Sequence, residues 1–159
     1  MTDVFQLWAD SLPALIRGYW VSLQITAVSL VLGIPLGLFL ALCVQSRRRA
    51  VHVPALLVVE VGRGAPLLVL LQFVYFGLPT AGLTLSGFAS AAVAFAWCTG
   101  AYTSEIIRAG LEAVPHGQKE ASEALGLVRR DALRYVIVPQ GLRVSIPALL
   151  GFSILMLQA

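Results

Sequence analysis

The sequence predicts an all-α integral membrane protein with about three full spans, a partial fourth span and one long polar loop. Of its 159 residues, 58% are hydrophobic and 12% are charged, about half the charged fraction of a soluble domain. Residues 18–46 and 64–104 contain no charged residue, and a helix needs roughly 20 apolar residues to cross a bilayer. The formal net charge of +3 is too small to indicate a nucleic-acid partner.

Residues 1–17 are expected to form a mildly amphipathic lead rather than a cleavable signal peptide. Asp3 and Asp10 lie where a signal peptide carries Lys or Arg. Trp8 and Trp20 suit the headgroup level of the membrane, where amphipathic rings settle. The first span therefore inserts as its own anchor.

The first span is expected over about residues 19–44. Gly33, Pro35 and Gly37 interrupt its middle. Small residues let membrane helices approach closely, and neighbouring helices satisfy the backbone groups that a proline frees. We expect close packing with a modest kink at this point, and a functional hinge is the alternative.

Arginines set the expected orientation. Residues 47–49 are all Arg and directly follow the first span, and an Arg-rich short loop marks the cytoplasmic side. The N-terminus then lies outside. Alternation of three spans places the later basic cluster, around Arg129 and Arg130, on the same cytoplasmic side, which agrees with this topology.

The second span is expected over about residues 54–78, with a break near 62–66. Pro66 suits the first position of a helix, because its fixed φ is helical and its missing N–H would be unpaired there. A broken helix at membrane depth is tolerated only against protein or a water-filled cavity.

The third span is expected over about residues 87–108, after an outer loop without basic residues. Residues 144–159 are again apolar but too short for a full span. We expect the sequence to end inside a fourth helix, so that residues 1–159 are one incomplete domain of a longer protein.

The polar loop, residues 110–146, separates the last two apolar segments. We expect a short helix over residues 118–125 that Gly126 caps. A second helix should begin near Asp131, which can cap its start, and end at Pro139. Small residues on the first helix would fit a groove of a soluble partner, whereas an interfacial hairpin without a partner remains the alternative.

The spacing within this loop resembles a known signature. Residues 120–122 read Glu-Ala-Ser, Gly126 follows after three residues, and residues 136–139 read Val-Ile-Val-Pro after nine more. The pattern resembles the loop of ABC-importer permease subunits, whose consensus is Glu-Ala-Ala, three residues, Gly, nine residues, Ile, any residue, Leu-Pro. Ser122, Val136 and Val138 are mild departures that keep the spacing.

Flanking segments resemble the polar amino-acid branch of that family, which includes histidine, glutamine, glutamate, arginine and opine permeases. These segments are residues 60–69, 75–79, 100–108 and 114–118. Together with the loop, the resemblance covers nearly the whole chain from about Gly18.

The resemblance implies a type I ABC-importer transmembrane fold with five helices, in a bacterial plasma (inner) membrane. It implies a second permease subunit, two ATP-hydrolysing subunits below, and an extracytoplasmic solute-binding protein. The loop helix would be a coupling helix in a cleft of the ATPase, with Glu120, Ala121, Ala124 and Gly126 as the coupling residues. The chain itself would be no enzyme and need no cofactor or metal, since it has no phosphate-binding loop and no metal-ligand cluster.

Polar groups within the spans are the candidates for the substrate path. Arg63 could hold a carboxylate through two hydrogen bonds, but Glu60 lies one turn earlier and could instead form a structural ion pair with it. The other candidates, each of which could equally be a helix-packing contact, are Gln72, Thr99, Tyr102 and Gln158.

Two other functions remain open on the sequence. A secondary transporter or channel would need facing acidic groups within the membrane, which the uncharged segments lack. A non-transporting scaffold would use the loop only for docking. The sequence leaves undecided which amino acid would be carried and whether the permease subunits pair as a homodimer or a heterodimer.

Overall fold

The computed structural model describes residues 2–158, and within that range every regular element is helical. Four longer helices carry the fold: α1 (Thr2–Val44), α2 (Arg49–Gly64), α4 (Gly87–Glu112) and α7 (Val138–Gln158). The shorter ones are α3 (Leu67–Gln72), α5 (His116–Ala124) and α6 (Arg129–Asp131). Turns of π-helix cover Phe73–Gly77 and Ala132–Ile137, and a 3₁₀ turn covers Leu78–Ala81.

Helix α1 is continuous, so the expected separate lead is wrong. The helix runs unbroken from Thr2 to Val44 with Pro13 and Pro35 inside it. Charged and aromatic residues near the start mark a depth relative to a bilayer, but they do not end a helix. The expected lead and the expected first span therefore form one continuous helix, and its large side chains from Leu12 to Val21 are exposed.

The predicted break in the second apolar segment is confirmed. Helix α2 ends at Gly64, Ala65 and Pro66 are extended with ψ near 136°, and α3 begins at Leu67. The residue before a proline avoids the helical region, which explains why α2 stops here. The segments on either side are bent by 112°, a larger angle than a kinked span has.

Helix α4 lies at the centre of the bundle, packed against α1, α2 and α7. Its buried side is built from small residues, including Ala94, Thr99, Gly100 and Ala101. In the part of the chain that the structure describes, two helices are long and apolar enough to cross a membrane, Ser11–Val44 and Arg129–Gln158, or three if the bent pair counts as one span. Helix α4 is not among them because its small and hydroxyl residues lower its hydropathy, so the third span stays a prediction.

The contact between α1 and α4 depends on glycines. A Cβ added to Gly33 would lie 2.5 Å from Thr99 Cβ, and one added to Gly37 would overlap Thr103 Oγ1. In the other direction, a Cβ on Gly100 would lie 2.7 Å from Leu36 Cδ2. The close packing predicted for the glycines of α1 is thus present, as small residues at membrane helix contacts allow.

The second helix of the polar loop does not end at Pro139. Residues Arg129–Gln158 form one helical stretch, in which the π turn precedes the proline and Val138 N–H donates to the Leu133 carbonyl. In a π turn each N–H bonds the carbonyl five residues back, and this change of pattern accommodates the proline, which has no N–H to donate. The helix therefore continues. The expected cap at Asp131 is also wrong, because the helix begins at Arg129 after Val128.

A matched pair of glycine substitutions tests the α1–α4 contact. Gly37→Ala should lower the free energy of unfolding by about 1–3 kcal/mol, the usual cost of overpacking. Gly18→Ala is the control, because a Cβ there meets nothing within 4 Å and alanine favours helix more than glycine. Thermal unfolding in detergent micelles measures both. Equal midpoints for the two variants would contradict the contact.

Candidate functional site

Helix α5 ends in a glycine cap. Gly126 has φ +74°, its N–H donates to the Glu123 carbonyl at 2.9 Å, and Leu127 N–H donates to the Ser122 carbonyl at 3.0 Å. This pair of bonds is the Schellman arrangement, which requires a left-handed residue and therefore favours glycine. The cap predicted at Gly126 is confirmed.

The four predicted coupling residues all lie on the surface. Glu120, Ala121, Ala124 and Gly126 are exposed, and the next residue, Leu125, is 80% exposed. An exposed apolar side chain with small residues beside it is typical of a surface that binds another protein.

The opposite side of α5 is fixed to the bundle. Ser122 is 2% exposed and its Oγ donates to the Gln118 carbonyl at 2.6 Å. Gln140 Nε2, on α7, donates to Gln118 Oε1 at 3.3 Å. The π turn that contacts α5 contains Ile137, which is buried with Ile107 of α4. Helix α5 is therefore connected to α4 and α7 through short contacts.

A second cluster joins the C-terminal end of α2 to the C-terminal half of α4. Arg63 Nη1 lies 3.7 Å from Glu105 Oε2, and Arg108 Nη2 lies 2.8 Å from the same oxygen. Arg108 also pairs with Glu112 at 2.7 Å. The expected Glu60–Arg63 pair is not formed: Glu60 is exposed, and the carboxylate facing Arg63 comes from the neighbouring helix.

Tyr102 completes this cluster. Its hydroxyl donates to the Arg63 carbonyl at 3.3 Å, and the Arg63 guanidinium carbon lies 6.0 Å from the centre of its ring. Phe152 of α7 also stacks on the Tyr102 ring, with centroids 5.6 Å apart and planes at 25°. An aromatic face and a guanidinium thus meet where α2, α4 and α7 come together.

The remaining substrate-path candidates are dispersed. Thr99 is fully buried against Gly33, and its Oγ1 has no hydrogen-bond partner, so it is a packing residue in this structure. Gln72 and Gln158 are exposed, and no hydrogen bond or ion pair within residues 2–158 connects either to Arg63 or Tyr102.

Sequence reasoning missed Glu105 and Phe152. Glu105, Arg108 and Glu112 are spaced at i, i+3 and i+7, which places them on one helix face. This spacing could have predicted the ion pairs among them. The contact of Phe152 with Tyr102 left no such signal, because the two residues are 50 positions apart in the printed sequence.

Within the described residues, no group of three His, Cys, Asp or Glu side chains is arranged to hold a metal ion. Cys43 and Cys98 are free thiols.

Solved structures show the same architecture. The chain matches a crystal structure of an amino acid ABC transporter with histidines at a TM-score of 0.85 and 38% identity, over 97% of this chain and 72% of that one. An inward-facing structure of the MetNI methionine ABC transporter gives a TM-score of 0.72 at 22% identity, over 94% of this chain and 72% of that one. At that identity the second match concerns the fold alone. The fold is that of type I ABC-importer permeases.

Relatives by sequence lead to the same group. The probable amino-acid ABC transporter permease protein YckA of Bacillus subtilis (strain 168) is 36% identical over 144 residues, which are 91% of this chain and 64% of that protein. The arginine transport system permease protein ArtQ of the same organism is 37% identical over 148 residues, 92% of this chain and 68% of that protein. The chain thus spans about two thirds of the length of these relatives. Residues 33–159 match the family described as binding-protein-dependent transport system inner membrane component, and this integral membrane chain belongs to that family.

Proposed function

We propose that this chain is the membrane-spanning subunit of an ATP-driven importer for polar amino acids. The observation that carries the proposal is helix α5, whose four coupling residues are exposed while Ser122 is buried and the Gln118 side chain accepts a hydrogen bond from Gln140 of α7. A helix with one free face and one anchored face can pass a displacement from a partner to the helices behind it.

The route for such a displacement is short. Helix α5 contacts the π turn, which continues directly into α7. Gly110 and Gly141 bring α4 against α7, since a Cβ on Gly110 would lie 2.5 Å from the Gly141 carbonyl oxygen. Close-packed helices move as units, so a push on α5 tilts α7 and α4 together.

The partners follow from this arrangement. ATP hydrolysis belongs to a separate ATPase subunit whose groove receives α5, a second permease subunit pairs with this one, and a solute-binding protein delivers substrate outside. The N-terminus lies outside in a bacterial plasma membrane. Supporting this orientation, Arg47 and Arg129 line the same cavities at one end of the bundle, as the positive-inside rule requires.

Arg63 and Tyr102 are the proposed substrate contacts. Arg108 already satisfies Glu105 at 2.8 Å, whereas Arg63 is only 3.7 Å away and retains 36% side-chain exposure. Its guanidinium can therefore turn to a substrate carboxylate, with the Tyr102 ring beside it. Glu60, Gln72, Thr99 and Gln158 complete the proposed path only if it changes shape during transport, because they lie apart here.

The coupling role is tested on the complete transporter in proteoliposomes. Ala121→Trp and Gly126→Asp should each reduce ATP-dependent uptake about tenfold, within the range of coupling free energies between sites, while the complex stays in the membrane. The control Ala81→Trp is also exposed but precedes α4, whose 26 residues extend for about 39 Å, and should transport normally.

Normal uptake by both coupling variants would contradict the role of α5. Uptake that survives ATP depletion and stops with an ionophore would instead favour a secondary transporter. Intact complexes whose ATP hydrolysis never responds to substrate would favour a scaffold.

The substrate role of Arg63 is tested separately. Arg63→Gln should raise the KM for amino-acid uptake about tenfold, because a charge-assisted hydrogen bond contributes about 1.5–3 kcal/mol, while basal ATP hydrolysis is unchanged. Arg17→Gln, an exposed arginine of α1, is the control. An unchanged KM with a lowered thermal midpoint would show that Arg63 only holds α2 against α4.

A further inference from the structure

A cavity of about 630 Å³ lies between the end of α1 and the start of the C-terminal helical stretch. Its floor is apolar and includes Leu42, Leu133 and Val138. Its rim carries four guanidinium groups, those of Arg47, Arg129, Arg130 and Arg134. We call it the arginine cavity.

The positive charge of this cavity is uncompensated. Among the residues whose side chains the structure describes (8 and 11–158), none of the four arginines has a carboxylate within ion-pair distance, and no acidic residue lines the cavity. The adjoining cavity of about 490 Å³ differs, because Glu112 and Glu123 line it together with Lys119. Four clustered guanidinium groups repel one another unless an anion lies among them.

The arginine cavity lies at the edge of the apolar layer. Residues 18–46 of the preceding segment are uncharged and lead directly to Arg47. Tyr135 is 65% exposed and lies beneath Arg134, whose guanidinium carbon is 5.5 Å from the ring centre. An exposed tyrosine beside arginines is typical of the headgroup level of a membrane. The ligand must therefore be anionic at one end and apolar at the other.

We propose that the arginine cavity binds an anionic phospholipid, with the phosphate among Arg129, Arg130 and Arg134 and an acyl chain along Leu42 and Val138. Basic pockets between membrane helices on the cytoplasmic side have the chemistry that such headgroups require. The lipid would connect the end of α1 to the stretch that supports α5, so the membrane's composition would act on that junction. The residues that line this cavity include none of α5 and neither Arg63 nor Tyr102.

Lipid titration of the purified chain in detergent micelles, followed by native mass spectrometry, tests the proposal. The variant Arg130→Gln/Arg134→Gln removes two rim charges that line this cavity and not the adjoining one. Its affinity for phosphatidylglycerol should fall about 25-fold, because each arginine near an anionic headgroup contributes about fivefold. The matched control Arg49→Gln/Arg143→Gln removes the same charge from exposed positions outside both cavities and should keep the wild-type affinity.

Further binding measurements distinguish a lipid from other ligands of the arginine cavity. Phosphatidylcholine should bind the wild-type chain at least about tenfold more weakly than phosphatidylglycerol, and glycerol phosphate should not displace the lipid. Equal thermal midpoints establish that both double variants are folded. Equal loss of affinity in the control, equal binding of the zwitterionic lipid, or displacement by glycerol phosphate would each overturn the proposal. So would a cavity variant that keeps the lipid but loses the ATPase subunit.

Discussion

The approach of α1 to α4 is the contact on which the rest of the structure depends. Where Gly33 and Gly37 face Thr99 and Thr103, there is no room for a further carbon atom. Thr103 Oγ1 donates to the Thr99 carbonyl at 2.7 Å, so the hydroxyl is satisfied within its own helix and needs no partner across the contact. In an apolar solvent this close fit replaces the hydrophobic effect as the source of helix association. With α4 held in this way, α2 and α7 pack on its remaining faces.

Local features of the fold were predictable from sequence because local chemistry determines them. The break before Pro66 follows from the restriction that proline places on its predecessor, and the cap at Gly126 follows from the need for a positive φ. Pro139 was misread because a proline ends a helix only where the preceding turn keeps the α-helical hydrogen-bond pattern, which proline cannot complete. Here a π turn just before it supplies another hydrogen-bond pattern.

The candidate site residues also divide into those that the local sequence predicts and those that depend on packing between helices. The exposure of Ala121 and Ala124 agrees with the small residues that the sequence places on this helix, but the residue that α5 buries is Ser122, and composition does not indicate this. The partner of Arg63 depends on the angle between α2 and α4, which the sequence does not give. Glu60 is the nearer carboxylate along the chain, but Glu105 is the one that faces Arg63 in the fold. The Tyr102–Phe152 stack is likewise a product of packing.

The long uncharged segments have an electrical consequence. Residues 18–46 and 64–104 contain no ionisable Asp, Glu, Lys or Arg, so tilting or sliding them moves no side-chain charge through the membrane field. One elementary charge crossing 100 mV involves about 2.3 kcal/mol. These segments of α1 and α4 would therefore rearrange at the same free-energy cost in an energised and a de-energised membrane. Any dependence of their movement on membrane voltage must come from the charge of what they carry.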